Sequence, residues 1–298
     1  MERLDRGGAA AAGGAAMLYG TSYVATGIAL RSLTPLGVAA TRGALGALLL
    51  AVVILFPVAG GLRLQRLTSG ALGRLAVLAV LGGPAFIIAM NLAVAASGAT
   101  ITAFVAGLYA VLAALFGVPL LRERLNAVTI VSLGVALLGT ALLGELDLEG
   151  RAMGGIGIGL VAAVLFGLFL VLSRRWSSAY SLPGQLVGVG TLGLTAVTGA
   201  ILIPLLGDAG IAHPLSGEAA LAIAWLALAP GALAAVLVVI GMRRLPAGRA
   251  AAFLLLNPPT AAVGGWLLLG ERLSALQLLG AALVLGAIAA GSGALRRG

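Results

Sequence analysis

The chain has 298 residues, 61% of them hydrophobic and only 9% charged, with a mean hydropathy of +1.16 and a formal net charge of +9. Soluble domains are roughly half apolar and about a quarter charged, so this chain lacks the polar side chains to cover a water-facing surface, and lipid must solvate most of it. The absence of cysteine excludes disulfides and thiolate metal or redox chemistry, and the scatter of the 18 basic residues, all arginine, between apolar runs argues against a nucleic-acid surface.

A bilayer core about 30 Å thick takes roughly 20 apolar residues per helix, so the chain accommodates about ten spans. Apolar runs between turn and charge signals place them at roughly 9–30, 35–57, 71–95, 99–121, 126–144, 153–173, 183–205, 217–242, 248–270 and 274–294. The fold class that follows is an all-α polytopic membrane protein. The first run lies behind Arg3 and Arg6, and a cleavable signal peptide is its alternative reading. Its length and a polar-aromatic stripe favour a retained span. The stripe is Tyr19, Ser22, Tyr23 and Thr26, spaced i, i+3, i+4, i+7 on one helical face.

In the second span, Arg42 sits about two turns in and reads first as a snorkelling or structural arginine, second as a substrate ligand. Asn91 in the third span is either interhelical glue or part of a site. In the fourth, Tyr109 lies near mid-membrane with Thr102 on the same face two turns earlier. A phenol at that depth needs a polar partner, which a cavity or a neighbouring helix supplies. Trp176, Trp225 and Trp266 fall near span ends, as interface anchors do. His213 lies in a polar loop and reads as solvated. Glu123 and Glu271 sit at helix ends beside arginines and read as loop or interface pairs.

The ninth span holds Asn257-Pro258-Pro259 near its centre. Each proline lacks an N–H, so the carbonyls of Leu254 and Leu255 lose their helical partners. Such a break at membrane depth is tolerated where it lines protein or a cavity. The Asn257 amide can both donate and accept, and Phe253, one turn earlier, supplies a candidate apolar wall. A kink relieved by packing is the alternative. The candidate substrate-binding set is therefore Tyr19, Ser22, Tyr23, Asn91, Thr102, Tyr109, Phe253, Asn257 and Pro258. Catalytic residues, metal ligands and cofactors are not expected, because one loop histidine without cysteine assembles no reactive pair or metal cluster.

Fourteen arginines fall on one side of the spans. The other side holds Arg31, Arg151 and Arg272 with the acidic Glu145, Asp147 and Glu149. The positive-inside rule then puts both termini in the cytoplasm of a bacterial inner membrane. The halves also match each other. Leu18-Tyr19-Gly20 pairs with Leu165-Phe166-Gly167, Pro35 with Pro183, Pro84 with Pro230, and Glu123-Arg124-Leu125 with Glu271-Arg272-Leu273, at offsets of 146 to 148. The division is 1–148 and 149–298. Each half has five spans, an odd number, so the second enters the membrane upside down. Inverted repeats are an architecture of alternating-access carriers, with the substrate near the midplane between them.

These residues resemble the EamA-type branch of the drug/metabolite transporter superfamily. Leu18-Tyr19-Gly20, Pro35 and Arg42 are similar to the aromatic-Gly, Pro and Arg pattern opening each repeat of that family. Gly270-Glu271-Arg272-Leu273 is similar to its Gly-Glu-Arg ending, and Arg122 stands where the first copy is expected to have glycine. Gly280 and Gly286 match the Gly-rich last helix. The resemblance implies ten helices and export or exchange of small metabolites, and the nearest subgroup to name is the YddG-type amino-acid exporters. No Asp or Glu lies deep in any span, so a carboxylate-based proton antiport has no titratable centre. One arginine, Arg42, is too few for a phosphate clamp. A largely uncharged, partly aromatic cavity fits facilitated export of amino acids or similar metabolites. A multidrug exporter of the same superfamily and a non-transporting membrane scaffold are the alternatives.

Overall fold

Apolar runs of this length have one solution in lipid, since each backbone N–H and C=O must be paired within its own segment. The structure, a computed structural model, describes residues 6–55, 68–122, 127–143, 151–180, 184–234, 237 and 256–294, and these are helical nearly throughout. In chain order they form α1 (Arg6–Ala29), α2 (Pro35–Leu55), α3 (Ser69–Val80), a π-helical stretch Leu81–Ala85, α4 (Phe86–Ser97), α5 (Ala99–Ala106), α6 (Tyr109–Leu121) and α7 (Ala127–Leu143). The second half continues with α8 (Arg151–Tyr180), α9 (Gly184–Leu205), α10 (Gly217–Leu226) running into a π stretch Ala227–Leu233, α11 (Asn257–Gly264) running into a π stretch Gly265–Leu269, and α12 (Ala275–Ala294). Each of the ten expected spans is met by one of these helical stretches. The fourth agrees to the residue, and the sixth runs about two turns longer than its apolar core, through Arg174 and Arg175. Among the described residues, four helical segments, Pro35–Val52, Ser69–Ser97, Met153–Trp176 and Leu186–Leu205, are long and apolar enough to cross a membrane.

Caps and breaks follow local chemistry. Thr68 and Ser216 have extended backbones and accept from the N–H groups of Ala71 and Ala219, capping α3 and α10. Pro84 lies in the π stretch between α3 and α4, and Pro230 in the one that follows α10. A ring without N–H widens the turn in the same place in each half. The fourth span breaks at Gly107-Leu108. Its counterpart in the ninth is Leu256, and Leu108 and Leu256 share a ψ of −15° one residue before α6 and α11 begin. The first residues of those helices are Tyr109 and Asn257.

The packing repeats across the halves. The largest contacts are α2 on α9 and α7 on α12, each joining a helix to its own counterpart. α1 packs on α10 and α11 of the second half, while α8 packs on α4 and α6 of the first. Exchanging the halves leaves this scheme unchanged. Small residues permit the closest crossings. A methyl group at Gly43 would lie 2.7 Å from the Ala196 nitrogen, and one at Gly139 would lie 2.7 Å from the Gly280 carbonyl. Without a hydrophobic drive between helices in lipid, such close backbone approach is what holds them together. The outer faces carry large exposed apolar side chains, among them Leu48, Ile130, Val131, Ile201, Leu221 and Leu267. In water these faces would aggregate; in a bilayer they are solvated.

Candidate functional site

Two glycines bring the halves together at mid-bundle. A methyl group at Gly20 of α1 would lie 2.6 Å from the Asn257 carbonyl oxygen and 2.7 Å from Thr260 Cβ. In the other half, one at Gly167 of α8 would lie 3.3 Å from the Tyr109 carbonyl oxygen. The glycine of each aromatic-Gly pair therefore rests on the break in the fourth helix of the opposite half. The residue preceding each glycine, Tyr19 or Phe166, is carried to the same place.

Tyr109 and Asn257 meet there. The Asn257 amide lies close enough to bear on the Tyr109 phenol, and Tyr109 packs edge-on to Phe166, ring centroids 5.0 Å apart at 82°. Phe166 in turn stacks on Phe86 at 4.6 Å and on Phe169 at 5.5 Å. Tyr109 and Asn257 are both buried, and the Asn257 Oδ1 has no hydrogen-bond partner among the described residues. The two prolines occupy the first turn of α11, where an N–H would lack a helical partner in any case. The carbonyls of Leu254 and Leu255 lie outside the described residues, and Thr260 Oγ1 donates to the Leu256 carbonyl at 2.7 Å.

The stripe on α1 faces the same centre. Tyr23 and Thr26 are buried, Tyr19 is half-buried, and both tyrosines lie within Coulombic reach of Arg42 on α2, as Tyr19 does of Tyr109. The Ser22 hydroxyl is already spent, donating to the Tyr19 carbonyl at 2.6 Å. Two other candidates each donate to a backbone carbonyl, and Asn91 Oδ1, like that of Asn257, is buried with no hydrogen-bond partner among the described residues. Asn91 is fully buried and its Nδ2 donates to the Pro35 carbonyl at 3.0 Å, fastening α4 to the start of α2. Thr102 donates to the Gly98 carbonyl at 2.7 Å and lies 3.2 Å from Ser97 Oγ, at the turn between α4 and α5. Phe253 lies outside the described residues. The central group is therefore Tyr19, Tyr23, Arg42, Tyr109, Phe166 and Asn257, with Pro258 buried in the first turn of α11. Phe166 was available to sequence reasoning as the repeat partner of Tyr19, while Phe86 and Phe169 carried no signal of their own.

Polar links fasten the halves at one end. The Glu271 carboxylate accepts from the backbone N–H groups of Ala99 at 2.6 Å and Thr100 at 2.9 Å. Read from the sequence as a loop or interface pair, it is a cap supplied to α5 from the other half. The Ser32 carbonyl accepts from the N–H of Ala212 at 2.9 Å and of His213 at 3.1 Å, and Arg31 pairs with Glu218 at 3.3 Å. One pocket opens beside these links, lined by residues including Arg31, Ala99 and Glu271. A second lies at the opposite end, between Leu120, Arg122, Arg174 and Arg175. The central group lies between the two ends rather than in either pocket.

Trp225 proves to have a polar role, its indole N–H donating to Thr21 Oγ1 at 2.9 Å. Trp176 lies under the Arg74 guanidinium at 5.9 Å, and Trp266 is exposed on the apolar rim.

The model of the EamA-like transporter family matches the chain twice, over residues 6–144 and 153–291. The chain belongs to the EamA-like transporter family. The two matches are the two halves seen in the packing, so the EamA repeats are the units that exchange under the contact scheme. Among solved structures, one crystal structure has a TM-score of 0.66 at 20% sequence identity and covers 95% of this chain and 97% of its own. At that identity the likeness speaks for the fold. Among curated proteins no relative matches.

Proposed function

We propose that this EamA-family protein moves amino acids or closely similar small metabolites out of the cell, by rocking two inverted five-helix halves, 1–148 and 149–298, about a central site. The observation that carries the reading is the crossed contact. Each half's aromatic-Gly pair rests on the opposite half's broken fourth helix, and the two breaks present Tyr109 and Asn257 to each other. A binding site shared by two bodies that move relative to one another is what alternating access requires. The aromatic wall of Phe86, Phe166 and Phe169 suits an apolar side chain, while the unpartnered Asn257 Oδ1 suits a substrate donor. None of the nine acidic residues lies deep inside an apolar span, Glu218 standing in the first turn of α10, which favours facilitated export over carboxylate-based proton antiport. The arginine distribution favours a bacterial inner membrane with both termini in the cytoplasm.

Purified protein in liposomes, scanned over labelled amino acids, tests the reading. The expected outcome is flux of at least one amino acid above empty vesicles, lost in Asn257→Ala and Tyr109→Ala while both variants remain folded. Absence of flux for every amino acid sinks the substrate class. Competition by lipophilic cations in place of amino acids would redirect it to multidrug export.

A further inference from the structure

Arg42 is a cation buried in the membrane-spanning part of the chain, only 7% exposed, and its Nε and Nη1 have no hydrogen-bond partner among the described residues. An isolated buried charge is among the most costly groups a protein can hold. Three ordinary remedies are missing among the described residues. The three described acidic side chains are committed elsewhere, Asp208 to the Gly210 N–H, Glu218 to Arg31 and Glu271 to Ala99 and Thr100. No aromatic ring lies under the guanidinium, the cation–π contact of these residues being Arg74 on Trp176. Nor does the side chain snorkel out, since its Nε and Nη1 are themselves buried, about two turns inside α2.

Within Coulombic reach of Arg42 are Tyr19 and Tyr23 of α1, two phenols that donate but carry no negative charge. The same tyrosines are in Coulombic reach of Tyr109, which neighbours Asn257 with its buried unpartnered acceptor oxygen. An orphan cation with phenolic donors at one end, and an orphan acceptor at the other, match a ligand with a negative and a positive end. We propose that Arg42, flanked by Tyr19 and Tyr23, is the receptor for the carboxylate of the transported molecule, whose ammonium faces Asn257 Oδ1. The planar guanidinium binds a carboxylate bidentately. One guanidinium without a second cation discriminates against a phosphate dianion. The inference rests on the transport reading for its access route, and it adds that a carboxylate is required.

The test is a thermal-shift and binding titration of the full chain in detergent. The probes are L-leucine, leucinamide (carboxylate blocked), isopentylamine (carboxylate absent) and isovalerate (amine absent and one carbon shorter), against wild type, Arg42→Gln, Arg42→Met and Arg42→Lys. We expect wild type to be stabilised by leucine and, more weakly, by isovalerate, but not by the amide or the amine. Arg42→Gln and Arg42→Met should bind leucine about tenfold to a hundredfold more weakly, with Arg42→Lys between. Without ligand, Arg42→Gln should melt no lower than wild type, which a structural arginine would not allow. Isovalerate binding that needs Arg42, without leucine binding, would keep the carboxylate receptor and sink the amino-acid reading. Equal leucine binding by wild type and Arg42→Gln would overturn the receptor and leave amino-acid transport standing. No stabilisation by either carboxylate, or failure of both neutral variants to fold, overturns the proposal.

Discussion

Removing the Glu271 side chain isolates the strongest polar link between the halves. Its two oxygens accept from the N–H groups of Ala99 and Thr100, at 2.6 Å and 2.9 Å, at the start of α5. Both residues are buried, and α5 has no cap of its own, because the residue before it is Gly98 at φ +83°. Glu271→Ala leaves two donors unpaired at a helix N-terminus, where an acidic group is favoured. Each lost bond to a charged acceptor is worth about 1.5–3 kcal/mol. Glu271 itself is half-buried and lines an open pocket, so water will replace part of what is lost. A net cost of about 2–3 kcal/mol follows, or a fall in melting temperature of roughly 3–5 °C for a chain of 298 residues. Glu271→Gln keeps one acceptor oxygen and should lose about half as much. The assay is thermal unfolding of the purified protein in detergent, followed by tryptophan fluorescence. An alanine variant that melts with wild type, or a glutamine variant as damaged as the alanine one, would refute the capping argument.

Three further outcomes follow from the same geometry. Arg122 ends α6 in the left-handed region at φ +58°, where Gly270 ends the matching stretch at φ +72°; Arg122→Gly should therefore raise stability by about 1 kcal/mol, and a lower melting temperature would contradict it. A methyl group at Gly20 meets the Asn257 carbonyl and Thr260, whereas one at Gly73 of α3 meets nothing within 4 Å. Gly20→Ala should cost about 1–3 kcal/mol and abolish flux, Gly73→Ala should be neutral or slightly stabilising, and equal behaviour of the two would refute the close crossing of α1 on α11. Tyr109→Phe keeps the edge-on contact with Phe166 but removes the hydroxyl beside Asn257. It should fold normally and transport more slowly, and wild-type flux would remove that hydroxyl from the site.

Much of the architecture was legible in the sequence because lipid leaves few choices. Apolar length set the spans, and the offset near 147 residues between matching Leu-aromatic-Gly, Pro and Glu-Arg-Leu elements set two halves of five. The fate of individual polar residues was less legible, since a hydroxyl or amide reads alike whether it faces a ligand or a backbone carbonyl. Asn91 and Thr102 looked equivalent to Asn257 by depth, yet one ties α4 to Pro35 and the other closes the Gly98 turn. Glu271 gave no sign that it reaches across to α5, because its partners lie 171 and 172 residues away.

Composition and periodicity alone therefore determined that this is a ten-span, two-repeat membrane protein, since span length and repeat offset are properties of one chain direction. Only the tertiary structure decided that Gly20 and Gly167 each rest on the opposite half's broken helix, and that Arg42 is left without a counter-charge among the described residues. Hydrogen-bond satisfaction depends on what neighbouring helices bring within about 3 Å, and residues more than a hundred positions apart do not declare that proximity along the chain.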